Sequence, residues 1–125
     1  MNRNDVQAWL DRYVEAWRGN RAELIEPLFT EDAVYRYRPY GGDDRASVGR
    51  DAIVAAWLED PDEPDSWEAQ YAAYAADDDR AVATGISRYL AHDEEPEKVY
   101  YNVFLLRFDP DGRCTDFTEY WMLEE

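Results

Sequence analysis

Glu119 has the strongest claim to chemistry in this chain. It stands in the stretch Phe117-Thr118-Glu119-Tyr120-Trp121, where strand alternation puts it on one face with Phe117 and Trp121. If that face is the interior one, its carboxyl loses water and its pKa rises toward neutrality. A general acid or base is made in this way. Two other readings compete. One makes Glu119 a structural ion pair with an arginine such as Arg88 or Arg36. In the other, a one-residue change of register turns it to solvent and brings Thr118 and Tyr120 inside. Asn102 lies on a second alternating stretch, sharing a face with Tyr100, Phe104, Leu106 and Phe108. Its amide suits the orientation of a water or a substrate carbonyl, and equally the satisfaction of a neighbouring strand or loop.

Other reactive side chains carry weaker expectations. His92 is the one histidine and sits beside Asp93, Glu94 and Glu95, which reads as an exposed turn. A single histidine without a second ligand at fixed spacing argues against zinc. The run Asp77 to Asp79 and the turn Asp109-Pro110-Asp111-Gly112 lack the ligand pattern of a dedicated calcium loop, so no metal is expected. Cys114 begins a strand without basic neighbours, and packing is its expected role. No phosphate-cradling glycine loop and no nucleophile elbow is present.

These residues need elements to hold them. Val6, Leu10, Tyr13, Val14 and Trp17 recur at helical spacing and predict a helix over Asn4 to Arg18, with Asn4 and Gln7 as a capping box and Gly19 as its end. A short second helix follows, with Asn20 as cap, Glu23 as box partner and Pro27 near its end. Ala33 to Arg38 alternates as a strand, with Tyr35 and Tyr37 on one face. A loop with Gly41-Gly42 leads to a third helix over Gly49 to Leu58, and Glu59 to Ser66 reads as a solvated connection. Four strands are expected after it, at Trp67 to Ala75, Arg80 to Ala91, Val99 to Phe108 and Cys114 to Leu123, joined by acidic turns. Helices first and a strand meander afterwards make an α+β order rather than an alternating one.

Composition sets the outer limits. A length of 125 residues implies one domain, spanning 1–125. The 46% apolar and 15% aromatic shares are too rich for disorder. A net charge of -16 repels phosphates and anionic lipid, so neither nucleic acid nor membrane is expected as a partner. Lys98 is the one lysine among 13 basic residues, as in a salt-adapted cell or a GC-rich genome. A lone cysteine excludes an intrachain disulfide, and Met1 to Asp5 is polar and lacks the apolar stretch of a signal peptide. Both point to the cytoplasm.

The order of elements, with the segments Arg12 to Trp17, Leu28-Phe29-Thr30-Glu31-Asp32-Ala33-Val34, Val48-Gly49-Arg50-Asp51-Ala52-Ile53, Tyr100 to Phe108 and Gly112 to Trp121, resembles the nuclear transport factor 2-like superfamily and its SnoaL-like, polyketide cyclase-like branch. The resemblance implies a cystatin-like cone, in which a curved antiparallel sheet wraps a long N-terminal helix with two further short helices. It also implies that Tyr35, Tyr37, Tyr100, Asn102, Phe104, Phe117, Glu119 and Trp121 face the interior, opposite Tyr13 and Trp17, around a pocket for a small hydrophobic molecule. Tyr13 matches the place where ketosteroid isomerases carry an oxyanion-binding tyrosine, although a core tyrosine with its hydroxyl at the rim is the plainer reading. The aspartate base of those isomerases is matched here by Tyr37, or by Arg38 after a one-residue shift, so that activity is not expected. Two histidines of the scytalone dehydratase kind are missing, as is the Asp-x-Arg spacing of the limonene epoxide hydrolases. A cofactor-free cyclase-type or isomerase-type enzyme using Glu119, with Asn102 as its helper, fits least badly. A binding protein without turnover and a dimerising module are the alternatives, and a homodimer is compatible with all three.

Overall fold

The computed structural model describes residues 1–125. Helix α1 (Arg3–Gly19) carries Val6, Trp9, Leu10, Tyr13 and Ala16 as its buried stripe. The capping box forms two residues earlier than the sequence suggests. Asn2 is the cap, accepting from the Asp5 amide at 2.8 Å, while the Asp5 carboxylate accepts from the Asn2 amide at 3.1 Å. Asn20 closes the same helix in a left-handed conformation, with φ 52°, rather than opening the next one. Helix α2 (Ala22–Ile25) starts at Arg21 without a side-chain cap and runs into a 3-10 turn, Glu26–Leu28, that accommodates Pro27 at its start.

Strand β1 (Phe29–Arg36) begins earlier than the alternation indicates and ends before Tyr37. A 3-10 turn, Gly42–Arg45, precedes a short strand β2 (Ala46–Val48) that the alternation pattern leaves as loop. Gly49, at φ 93°, then opens helix α3 (Arg50–Glu59), a backbone shape that favours glycine. The late strands are β3 (Trp67–Asp77), β4 (Arg80–Tyr89), β5 (Lys98–Phe108) and β6 (Cys114–Leu123), within two residues of expectation at each end.

The six strands form one curved sheet in the order β2-β1-β6-β5-β4-β3. Its pairings are antiparallel except for β1 with β6, which run parallel because β1 reaches the meander from the helical half of the chain. Helix α1 packs on β3, and α3 packs on β1 and β2. One cluster of 18 buried residues joins α1 to both halves of the sheet. Trp9 is its centre, wholly buried, with its indole N–H donating to the Leu28 carbonyl at 3.0 Å. No helix is long and apolar enough to cross a membrane.

Candidate functional site

The inner face of β4 carries Ala81, Ala83, Gly85 and Ser87, a row of small residues at alternate positions. A Cβ at Gly85 would collide with the Gln70 carbonyl and the ring of Tyr71, its cross-strand partner. The missing side chain lets the Tyr71 ring lie across β4 and reach Ser87, with 2.5 Å between the two hydroxyl oxygens. Ser87 donates to Asn102 Oδ1 at 2.9 Å, and Asn102 Nδ2 donates to Glu119 Oε2 at 2.9 Å. Ser87 has one proton and spends it on Asn102, so Tyr71 is the donor to Ser87. The whole row therefore donates toward Glu119 and orients the Asn102 amide with its nitrogen at the carboxyl.

The register places Glu119 on the interior face. It pairs with Phe104 across β5–β6, while Tyr120 stands on the opposite face at 43% exposure. No arginine reaches it: Arg36 binds Asp116 at 2.7 Å and Arg88 binds Glu97 at 3.1 Å. Burial raises the Glu119 pKa to about 7, against the smaller opposing effect of the Asn102 hydrogen bond.

Glu119 and Ser87 line an inner chamber of about 230 Å³, closed by Tyr13, Tyr35, Trp57 and Tyr89 among others. The hydroxyls of Tyr13 and Tyr35 lie 2.6 Å apart. One donates to the other, which leaves a single proton to offer the chamber. Burial pushes both phenols well above their ordinary range, with the Glu119 charge adding to it, so both remain neutral donors. Tyr37 lies beyond β1, also at the chamber wall, and its hydroxyl meets Ser47 Oγ at 2.8 Å. Trp17 lines the chamber as well.

The other expected lining residues sit elsewhere. Phe104 and Phe117 are fully buried beneath the chamber, where Phe117 stacks on Tyr35 at 4.2 Å and on Tyr13 at 5.5 Å. They brace the phenols and do not line the space. Trp121 is 45% exposed, because β6 runs out past the end of the core, and it forms an edge-to-face pair with Tyr100 at 5.5 Å. Both Tyr100 and Trp121 line a second, outer chamber of about 730 Å³, which shares Ser87, Tyr89 and Glu119 with the inner one. Asn102 lines the outer chamber too. His92 is exposed beside Asp93 and lines neither. Cys114 is buried, and burial pushes its thiol well up.

The connection from Glu59 to Ser66 is moored rather than free in solvent. Trp17 Nε1 donates to Asp62 Oδ2 at 3.0 Å, Asn20 Nδ2 to the Asp62 carbonyl at 3.1 Å and Arg18 to the Pro64 carbonyl at 2.6 Å. Trp17 stacks on Trp67 at 3.6 Å, and the Arg18 guanidinium lies over the Trp67 ring at 4.3 Å. Asp60, Pro61 and Asp62 thereby become a wall of the inner chamber. Sequence patterning misses this wall, and it misses Tyr71, Ser87, Tyr89 and Trp57. The small-residue row on β4 facing Tyr71 is the signal that points to the relay.

A helix-backed curved sheet with a half-buried acid near its open end matches a known domain type in sequence. A profile of the SnoaL-like domain matches residues 10–117. The chain belongs to the SnoaL-like family. Solved structures agree on the fold. This SnoaL-like chain is similar to a nuclear transport factor 2-like protein of unknown function from Mesorhizobium loti, with 18% identity, a TM-score of 0.69 and coverage of 96% of this chain and 93% of that one. A second such protein of unknown function, from Burkholderia xenovorans LB400, has 15% identity and a TM-score of 0.67 over 97% and 85% of the two chains. An epoxide hydrolase from M. tuberculosis, described as LEH-like, has 11% identity and a TM-score of 0.68 over 95% and 84%. No curated protein matches the sequence.

Proposed function

We propose that this SnoaL-like domain is an acid–base enzyme acting on a small apolar ring compound, with Glu119 transferring the proton. One observation carries the reading: a carboxyl with a pKa of about 7 faces a chamber walled by phenols, held by Asn102 and without a cation to neutralise it. Such a group is part ionised at neutral pH and can take and return a proton. In an enolisation it would remove a proton from the carbon next to a carbonyl. The free proton of the Tyr13–Tyr35 pair would then meet the developing oxyanion. Asn102, itself held by Ser87, occupies Oε2 and leaves Oε1 to react.

Epoxide opening of the limonene epoxide hydrolase kind is less well supported, because Arg36 and Arg88 are committed to Asp116 and Glu97 rather than to Glu119. The proposal includes a homodimer. The outer sheet face exposes Tyr101, Val103, Leu105, Tyr120 and Met122, a contiguous apolar surface for a second copy.

Proton exchange tests the reading directly, whatever product the enzyme forms. Cyclic ketones and aromatic polyketides that raise the melting temperature are incubated with the protein in heavy water. Loss of the proton next to the carbonyl is then followed by NMR. Glu119→Gln should slow exchange by about 10²–10⁴-fold, and Tyr13→Phe by about 10²-fold, with folding kept in both. Ligands that bind without exchange, and bind Glu119→Gln equally well, would instead make the domain a carrier.

A further inference from the structure

The outer chamber differs from the rest of this acidic molecule in its charge. The chain has 29 acidic and 13 basic residues, so a concave surface is expected to hold about two acids for each base. Here Arg38 and Lys98, the one lysine, line the same space, against Glu95 and the Glu119 that it shares with the inner chamber. The ion pairs of the molecule involve Arg36, Arg88 and His92, and neither Arg38 nor Lys98 has a carboxylate partner. Two cations against two acids make this lining close to neutral in a chain of net charge -16, and because neither cation is ion-paired both are free to meet an anion. Lys98 pairs across β4–β5 with Tyr89, one of the three residues that line both chambers.

We propose that the outer chamber is an anion-recognition subsite, in which Arg38 and Lys98 hold a carboxylate or sulfonate tail of a ligand whose apolar ring occupies the inner chamber. This rests on the acid–base reading above and adds the substrate class: amphipathic ring compounds with one anionic end. The shared wall makes the orientation unique. Ionised Glu119 repels an anion, so the charged end is driven outward to the cations while the ring goes inward. The Tyr100–Trp121 pair offers an apolar rim along which the linker between ring and anion lies.

Two probes of the same ring system separate the contributions. They are 8-anilinonaphthalene-1-sulfonate and its neutral counterpart N-phenyl-1-naphthylamine, each titrated by fluorescence at low salt. The sulfonate should bind the unmodified protein about tenfold tighter than the amine, the scale of a pair of charge-assisted contacts. The preference should fade as ionic strength rises. The double variant Arg38→Gln/Lys98→Gln should lose that factor for the sulfonate and keep the affinity for the amine. Ala56→Trp, which fills the inner chamber, should abolish both. Equal affinities for the two probes overturn the anion subsite but leave the inner chamber and the Glu119 reading standing. Equal loss of both probes in the double variant also overturns it, since the cations would then only shape the chamber. Binding of both probes that survives Ala56→Trp overturns the ring-inward placement. Binding of neither probe overturns the chamber reading together with the subsite.

Discussion

The two faces of the β4–β5–β6 meander use similar residue types for opposite purposes. On the inner face Phe104, Leu106, Phe108 and Phe117 are buried in one cluster with Trp9 and Tyr13, whose rings meet all three phenylalanines between them. On the outer face Tyr101, Val103, Leu105, Tyr120 and Met122 remain exposed at 37% to 71%. Strand alternation alone makes both faces apolar, so hydrophobicity by itself does not say which one is the core. The helices decide it. Apolar stripes on α1 and α3 cover one face only, and that cover both builds the core and desolvates Glu119.

The largest test of this contrast is Phe117→Ala. It removes a fully buried ring that braces Tyr13 and Tyr35, and chemical denaturation should show a loss of about 3–5 kcal/mol. The next tests the cost of the desolvated acid. The unfolded chain ionises Glu119 near pH 4 and the folded chain near pH 7. Between those values the folded state holds the extra proton, so stability falls as pH rises through that window, and the full penalty is present above it. Glu119→Gln keeps the acceptor for Asn102 and removes the penalty. It should stabilise the protein by about 2 kcal/mol near pH 8, after allowance for partial exposure, and by almost nothing near pH 4. Melting curves at the two pH values check it, and a gain that is equal at both would refute the raised pKa.

Ser87→Ala should cost about 1–2 kcal/mol, since it strands Asn102 Oδ1 and the Tyr71 hydroxyl. It should also free the Asn102 amide to turn, which a carboxyl NMR titration of Glu119 would register as a changed pKa. Smallest of all, Met122→Ala on the outer face should shift monomer stability by less than about 0.5 kcal/mol. If Val103→Glu turns a dimer into a monomer in sedimentation while unfolding is nearly unchanged, the outer face is the contact surface.

Much of this contrast can be read from the sequence. Periodicity finds α1, the four late strands and the phase that puts Phe117 with Glu119, because each rests on a repeat of two or 3.6 residues. Long-range polar pairing leaves no such repeat. Asn2 and Asn4 are both good caps by type, and only the geometry selects Asn2. The stretch Glu59 to Ser66 is acidic and rich in proline, as a solvated connection would be. Its hydrogen bonds to Trp17, Arg18 and Asn20 cross more than forty positions of sequence. The relay through Tyr71 and Ser87 depends on a glycine two places before the serine, which composition alone counts as an interruption of the strand.

The stacked indoles of Trp17 and Trp67 also give the molecule an optical signature. Two parallel chromophores stacked 3.6 Å apart share their excited states, and such face-to-face stacking lowers their ultraviolet absorbance. One member belongs to the helix that moors the chamber wall and the other begins the strand that follows that wall. The lowered absorbance therefore reports, without any label, whether the wall is docked, and a ligand that lifts it would announce its entry by restoring the absorbance.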